Sequence, residues 1–485
     1  MPDEHTSLPR RRDGRTRPVE LFPARLLGFG LFIAWSSLAA SLEKNLDIAS
    51  LSSPVSRLFI MSVLCALCYI ALAWFVHATG RTLWSRAVVV ACGVLGALFP
   101  LLELLAMSTS LFAVDVCAIT ASSLATVGMF LMWNIQIAAH RPRTAWIAYA
   151  GSMALAACVY FLVSALGDAA LFVALLTLPA LSCGLLVLST RLPKDADDLA
   201  EEGVDWKIPW QPILLILVFS FAFGLVSHYE GNARVPSEFG RLAASCVILL
   251  CVTALFSHFD ENVIAKASSL FVVAALLLCG IGGLDDSFGT GKLLVSVGYY
   301  GLMLYVFFAL STICFRYKAR VEWLFGIVQS VYVIMSAPSA LFGNWLKDAS
   351  FHTTFPLVDV VMSLTALLVV ALSMFLLTKN TFTSTWGIKA LRKVSNGEGV
   401  EIEQLATRDY LQDRAYRCAM IARQYGLTHR EEEVLSLVAE NKSFAEIEST
   451  LYIAHGTLRV HVQHLYAKLD VHSKEDVRTF VNDWR

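Results

Sequence analysis

The sequence predicts an all-α protein: a polytopic membrane helical bundle of about twelve spans, arranged six and six, followed by a small C-terminal domain of four helices. Three observations carry this. Hydrophobic residues make up 56% of the 485 and charged residues only 16%, and mean hydropathy is +0.62, outside the range of soluble globular chains. Apolar runs of spanning length recur from residue 25 to residue 377. From Thr428 onward the pattern changes to short amphipathic segments, each opened by a polar cap.

The expected spans are 25–42, 58–76, 87–107, 111–133, 145–166, 169–188, 213–229, 242–259, 268–284, 293–315, 324–346 and 356–377. The seventh is short and the ninth ends in glycines. Arg10, Arg11, Arg12, Arg15, Arg17 and Arg25 precede or open the first span. Further basic residues (Arg81 and Arg86, Arg141 and Arg143, Arg191 and Lys194, Lys318 and Arg320) fall in every second loop. The alternate loops are poor in Lys and Arg and carry Asp47, Asp168, Glu238, Asp285 and Asp286. The excess of Lys and Arg on one side places both termini in the cytoplasm. The apolar stretch behind the N-terminal arginines reads as an uncleaved first span, because no small-residue cleavage site stands out and eleven more spans follow.

The expected organisation is therefore a basic N-terminus (1–23), a first six-span half (24–188), a polar, acidic loop (189–212), a second six-span half (213–377), a connector (378–426) and a C-terminal domain (427–485). Two six-span halves around a long loop resemble the major facilitator architecture. Only Gly80, Arg81 and Arg86 match fragments of that family's basic loop motif.

Ionisable residues inside spans are functional candidates by default. Glu103, Asp115, His228, Glu230 and Asp359 all fall toward the outer ends of their spans. Convergence would make them an outward-open vestibule for a cationic or hydrogen-bonding small molecule; otherwise each is an interface residue. Gln329, Pro338 and Asn344 mark a kink or polar lining in the eleventh span. Several motifs carry no chemistry. Cys65-Ala66-Leu67-Cys68 lies in an apolar helix and reads as packing. Gly289-Thr290-Gly291-Lys292 lacks the first glycine of a phosphate loop, since Asp286 stands there. No residues have metal-ligand or nucleophile spacing, so neither an enzyme activity nor a cofactor is expected.

In the tail, Thr428-His429-Arg430-Glu431 and Ser443-Phe444-Ala445-Glu446 are capping boxes, and Ser473-Lys474-Glu475-Asp476 is a near version with Asp in the last place. Leu458, Val462, Leu465 and Leu469 form one stripe of a helix whose other faces carry Arg459, Gln463 and Lys468. The short stretch Tyr452 to Gly456 before it suits a helix-turn-helix. This tail resembles the DNA-binding domain of LuxR-type response regulators. The match runs through Leu427, Thr428, Arg430, Glu431, Val434, Leu435, Glu446, Ile447, Leu451, Ile453, Thr457, His461, Lys468, Leu469, Val471 and Ser473.

The resemblance implies that Arg459, Val460 and Gln463 face base edges, with Thr457, His461 and Lys468 nearer phosphates or the helix packing. Those residue types suit the roles: Arg reads guanine, Gln reads adenine and Val meets a thymine methyl. The resemblance also implies a homodimer on double-stranded DNA through the last helix, where Val477, Phe480, Val481 and Trp484 form an apolar stripe. The chain departs from the family at four places. Ala454 replaces the Ser or Thr that caps the recognition helix, Glu448 a small packing residue, and Asn441 and Asp470 two glycines. In the connector, Ser395 to Gly399 is turn-like, and a helix is expected from Glu403 with Leu411, Ala415, Cys418, Ile421 and Tyr425 on one side. The family's receiver domain is replaced here by the membrane domain. The expected function is a membrane-anchored bacterial transcriptional regulator that senses an unknown small molecule. The competing expectations are a facilitator-type transporter with an accessory regulatory tail and a tail that binds a protein partner.

Overall fold

The computed structural model describes residues 23–45, 54–80, 82–109, 111–192, 204–205, 210–229, 237–254, 262–280, 287–317, 319–352, 357–376, 390–396, 399–405, 414–439, 442–451 and 453–483. The chain divides into two compact units, a membrane unit and a unit containing the tail.

The membrane unit begins with a 3-10 turn, Ala24–Leu27, followed by α1 (Gly28–Asn45), α2 (Pro54–Thr79), α3 (Arg86–Thr109), α4 (Phe112–Ile137), α5 (Pro142–Leu166) and α6 (Asp168–Ser189). The second half comprises α7 (Trp210–Tyr229), α8 (Ser237–Ala254), α9 (Asn262–Gly280), α10 (Ser287–Tyr317), α11 (Val321–His352) and α12 (Leu357–Leu376). Among the described residues, ten of these helices are long and apolar enough to cross a membrane; the apolar stretches of α7 and α9, Ile213–Ser227 and Val263–Cys279, are shorter. These are the seventh and ninth spans, short or glycine-ended in sequence.

Helices α1, α3, α4, α5 and α6 pack together, as do α7, α9, α10 and α12, while α2 packs on α11 and α5 on α8 across the two halves. Fully buried aromatics fill the centre: Phe29, Trp35, Phe99, Trp133, Trp146, Tyr149, Phe219 and Phe325. The polar edge of Trp133 is satisfied in series: its Nε1 donates to Ser182 Oγ at 2.9 Å, and Ser182 donates to the Gly28 carbonyl at 2.9 Å. Tyr149 donates to Asn134 Oδ1 at 2.7 Å. Inside an apolar bundle each such bond removes a desolvation penalty that an orphaned group would carry. At one end the halves are tied by Thr82 Oγ1 and the Leu83 amide, which donate to Glu322 Oε1 at 2.7 and 3.2 Å, and by Arg320 Nη1, 2.6 Å from the Val76 carbonyl.

One boundary differs from expectation with consequence. Helix α8 begins at Ser237, not at 242, because Glu238 and Arg241 pair at i,i+3 and neutralise each other within its first turns. Both are buried, at 6% and 7% exposure.

The connector departs from the all-α pattern among the described residues. Ala390–Asn396 (β2) and Gly399–Leu405 (β3) form an antiparallel hairpin in register from Ala390 opposite Leu405 to Asn396 opposite Gly399. A short strand, Val204–Asp205 (β1), is next to β2 in the same sheet. Of the turn-like segment 395–399, Asn396 and Gly399 form the last pair of the hairpin, and residues 397–398 lie outside the described residues. The helix expected from Glu403 is a correction: Glu403 pairs with Arg392 in the hairpin, and the helix α13 runs instead over Arg414–Tyr425. Leu411 lies outside the described residues.

The tail follows as α14 (His429–Ala439), α15 (Phe444–Leu451), α16 (His455–Leu469) and α17 (Lys474–Asp483). Its core joins Cys418 and Ile421 of α13 to Val434, Leu435 and Val438 of α14, Ile447 of α15, Leu458, Val462, Leu465 and Leu469 of α16, and Val477 and Val481 of α17. The connector helix thus closes the tail's core as a fifth helix.

Candidate nucleic-acid interface

Local sequence sets the tail helices. In the first box the Thr428 amide donates to Glu431 Oε2 at 2.7 Å, and the Glu431 amide to Thr428 Oγ1 at 3.4 Å. In the second, the Ser443 amide donates to Glu446 Oε2 at 2.7 Å, with the return bond at 3.3 Å. In the third, the Asp476 amide donates to Ser473 Oγ at 3.0 Å and the His472 amide to Asp476 Oδ2 at 3.2 Å. All three sequence motifs form. Helix ends are closed by amide bonds five residues back: Leu427 to Ala422, Lys442 to Leu437, Ile453 to Glu448 and Val471 to Tyr466. Gly426 takes φ +62° at the first of these ends, and Asp470, where the family has glycine, takes φ 55° and ψ 46° at the last.

The recognition helix α16 has Ala454 as its N-cap residue, extended at φ −70° and ψ 152° but with no side-chain cap bond. The lost cap is not taken over by His455, which turns to Glu448: Nδ1 lies 2.5 Å from Glu448 Oε1. That contact answers the Glu448 departure, since its carboxylate leans out of the helix interface onto the imidazole.

Burial sorts the remaining faces of α16. Leu458, Val462, Leu465 and Leu469 point into the core. Thr457, Arg459, Val460 and Gln463 are exposed, His461 is half-buried, and Val460 keeps 47% of its surface in solvent. An exposed valine between an arginine and a glutamine makes no sense for packing and suits a surface that closes on a partner. Lys468 has a different place. Its Nζ lies 2.6 Å from Glu431 Oε2 and 2.9 Å from the Gly426 carbonyl, bridging α16 to α14 and to the end of α13. Of the two positions open to Lys468 in sequence, phosphate or packing, the geometry is that of packing. Glu431 is buried. Burial pushes its carboxyl up, but the bonds from Lys468 and Thr428 outweigh that and hold it below the ordinary value. Glu446 is also held below its ordinary value, by the Ser443 amide and hydroxyl.

The apolar stripe of α17 requires correction as a dimer face. Val477 and Val481 are both fully buried inside the tail's own core, and the Phe480 ring packs edge-on against Tyr425 at 5.7 Å. Val477 and Val481 are covered by α13 and α14, which amphipathicity alone cannot distinguish from a second copy. Trp484 lies outside the described residues.

Three of the five carboxylate and histidine candidates of the membrane unit have described side chains, and they are spread over both halves. Glu103 and Asp115 are buried at 1% and 0% exposure on α3 and α4, in the first half. Asp359 is exposed on the first turn of α12, which packs on α9 and α7 in the second half. A carboxylate there is accounted for by the helix N-terminus. His228 and Glu230 fall outside the described side chains. Gln329 is buried, Asn344 half-buried and Pro338 exposed. One buried ionic pair with several described partners falls where hydropathy placed a loop: Arg241 with Glu238.

A facilitator-like twelve-helix unit joined to a LuxR-type helix-turn-helix is therefore the class these two units define. Residues 425–481 match the family described as bacterial regulatory proteins, luxR family. Over 56 residues, 12% of this chain and 26% of the relative, the chain is 41% identical to the uncharacterized transcriptional regulatory protein YhcZ of Bacillus subtilis (strain 168). The chain thus spans about a quarter of that curated relative's length. The membrane unit is similar in fold to the human organic anion transporter MFSD10 (13% identity, TM-score 0.52, covering 73% of this chain and 98% of that one). It is equally similar to a bacterial homologue of the iron transporter ferroportin in its outward-facing state (13% identity, TM-score 0.52, covering 72% and 98%). The major facilitator transporter FucP, in the outward conformation, aligns at 11% identity with TM-score 0.50 over 73% and 98%. The chain is a multi-pass membrane protein with a LuxR-type DNA-binding domain at its C-terminal end, and that domain implies a cytoplasmic tail.

Proposed function

We propose that this protein is a membrane-anchored bacterial transcriptional regulator: the membrane unit senses a small molecule as its signal, and the tail reads double-stranded DNA through Arg459, Val460 and Gln463. The observation that carries the reading is the exposed face of α16. Arg459 and Gln463 make no hydrogen bond or ion pair among the described residues, so their donors remain available to base edges. The alternation of basic loops supports an inner-membrane protein with both termini in the cytoplasm, and an even number of helices keeps the tail on the same side as the N-terminus. Thr457 and His461 flank the reading face and suit phosphate contacts. A ligand can move such a system only by binding two states of the membrane unit differently.

The test has two arms. A periplasm-dependent reporter fused after Arg485 should stay silent, and an active one would overturn the topology. Residues 414–485, which enclose their own core, should bind the promoter region of neighbouring genes more tightly than unrelated DNA; equal binding to both would overturn the DNA-reading assignment. The second reading, a working transporter with an accessory tail, is favoured by the six-and-six fold shared with transporters. Uptake or counterflow by the reconstituted full chain decides for it.

A further inference from the structure

We infer that Arg241 is the anchor of a binding site for a small organic anion, a carboxylate on a flat apolar body, at the seam between the two halves of the membrane unit. The site is distinct from the acidic vestibule expected from hydropathy, and it deepens the proposed function by giving the signal a chemical class.

Arg241 lies in the second turn of α8, buried, with its guanidinium shared among three helices. Nη1 is 2.7 Å from Ser37 Oγ on α1 and 2.7 Å from Glu238 Oε2 on its own helix. Nη2 donates to the Tyr300 hydroxyl of α10 at 2.9 Å, and the guanidinium carbon sits 4.7 Å from the centre of the Tyr300 ring. Nε has no hydrogen-bond partner among the described residues. Gly240 makes this reach possible: a side chain there would come within 2.8 Å of the Val297 amide, so only glycine lets α8 lie flat on α10.

An arginine inside an apolar bundle is costly, and a paired one contributes little net stability, since apolar residues of similar volume do as well or better. Stability alone does not explain this pair. Its position does: Ser37 belongs to the first half and the rest to the second, so the guanidinium is a polar tie across the line along which facilitator-like halves separate. Beside it α7, α10 and α11 build an aromatic wall. Phe223 stacks on Tyr299 at 4.4 Å and 15°, and Tyr299 faces Tyr332 at 6.0 Å and 29°. Above it, Phe161 of α5 meets Phe239 of α8 at 4.4 Å, again first half against second.

Glu238 is thus an internal stand-in for the ligand. An entering carboxylate takes the idle Nε and the neighbouring Nη2 in the bidentate geometry that a planar guanidinium favours, displaces the Tyr300 hydroxyl from Nη2, competes with Glu238 for the charge, and packs its apolar body beside the Phe223–Tyr299 pair. Charge drawn to the Nε–Nη2 edge weakens the bond from Nη1 to Ser37, one of the polar ties between the halves, so occupancy and the arrangement of the halves are coupled. A cation finds no place, because the positive group is fixed and its one carboxylate is already paired with it.

The experiment uses the purified full chain in lipid nanodiscs, with sodium benzoate as probe and benzamide, butyrate and benzylamine as controls. Thermal unfolding and intrinsic tryptophan fluorescence are followed against probe concentration. Benzoate should stabilise and saturate, butyrate should act more weakly, and benzamide and benzylamine should do nothing. Glu238→Gln removes the internal competitor and should tighten benzoate binding several-fold. Arg241→Gln should weaken it by about tenfold or more, as expected for removal of one partner of a buried charge contact. If Arg241→Gln fails to fold, the double variant Glu238→Gln/Arg241→Met, which leaves no unpaired charge, replaces it and should be folded and blind to benzoate. Equal responses to benzoate and benzamide, no response to benzoate at all, weaker benzoate binding in Glu238→Gln, or a folded arginine variant that binds as the parent does would each overturn the site. The regulator reading stands apart: binding that obeys all of this beside a promoter reporter that ignores Glu238→Gln would sink the sensing role and leave the site intact.

Discussion

Lys468 Nζ and Glu431 Oε2 stand 2.6 Å apart, joining the end of the recognition helix to the first turn of α14 across 37 residues of sequence. Glu431 is 3% exposed at its side chain and Lys468 34%, so the pair is half screened, and its loss is worth less than that of a fully buried one. Lys468→Ala should therefore lower the stability of the 414–485 domain by about 1–2 kcal/mol, read as a shift of the urea midpoint. It should leave the salt dependence of DNA binding unchanged; a slope flatter by about one would mean that Lys468 reaches phosphate after all.

The same pair sets an acid limit. Glu431 is held below its ordinary value in the folded domain, so the unfolded chain binds its proton first on acidification. The contribution is fully present above the unfolded value and is lost as pH falls through the folded one. Stability of the domain should decline below about pH 4.5, and Glu431→Gln should flatten that decline. A variant with the parent's acid profile would show that another group sets the limit.

Arg459→Ala should cost about 1–3 kcal/mol against the preferred DNA sequence and much less against unrelated DNA. The measurement is a pair of titrations at one salt concentration. Equal loss on both sequences would make Arg459 a phosphate contact.

Ala454 holds the extended backbone of a cap but has no side-chain oxygen to offer. Ala454→Ser should stabilise the domain by about 0.5–1 kcal/mol, seen as a rise in melting temperature. No rise would show that the first amides of α16 are already satisfied.

Asp470 sits in the left-handed region at the end of α16. Asp470→Gly should stabilise by about 1 kcal/mol by removing the Cβ strain, whereas Asp470→Ala should not. If both substitutions destabilise, the Asp470 side chain contributes a local bond that outweighs its strain.

What the sequence revealed and what it hid divide by range. The three capping boxes were legible because both partners lie three residues apart and the chemistry is local. The core stripe of α16 was legible because period and burial coincide at Leu458, Val462, Leu465 and Leu469. Lys468 could not be separated from the reading face, because its partner Glu431 is distant in sequence. Val477 and Val481 looked like a dimer surface because an apolar stripe does not name what covers it, and here α13 and α14 do. The hairpin was missed because the alternation that marks a strand, Val400-Glu401-Ile402-Glu403, is confined to β3, while Arg392 and Lys393 stand side by side in β2. Arg241 was hidden by hydropathy itself: a charge near a helix end reads as loop, and only contacts from α1 and α10 reveal it as interior.

The hairpin in the connector has a consequence for how a gene could be found. Strands of seven residues each run out and back, so the chain leaves the hairpin about 5 Å from where it entered. Laid straight, the same residues would reach about 50 Å. That stretch therefore adds almost nothing to the leash between the bilayer and the DNA reader. A free regulator explores the chromosome by diffusing and sliding along it. On the proposed reading, a regulator tethered to the membrane patrols a surface instead, and a locus is regulated only when its own motion carries it there. Response times would then follow the mobility of the chromosome rather than the abundance of the protein, and moving the target gene to a locus that seldom approaches the envelope should silence the response with every protein residue unchanged.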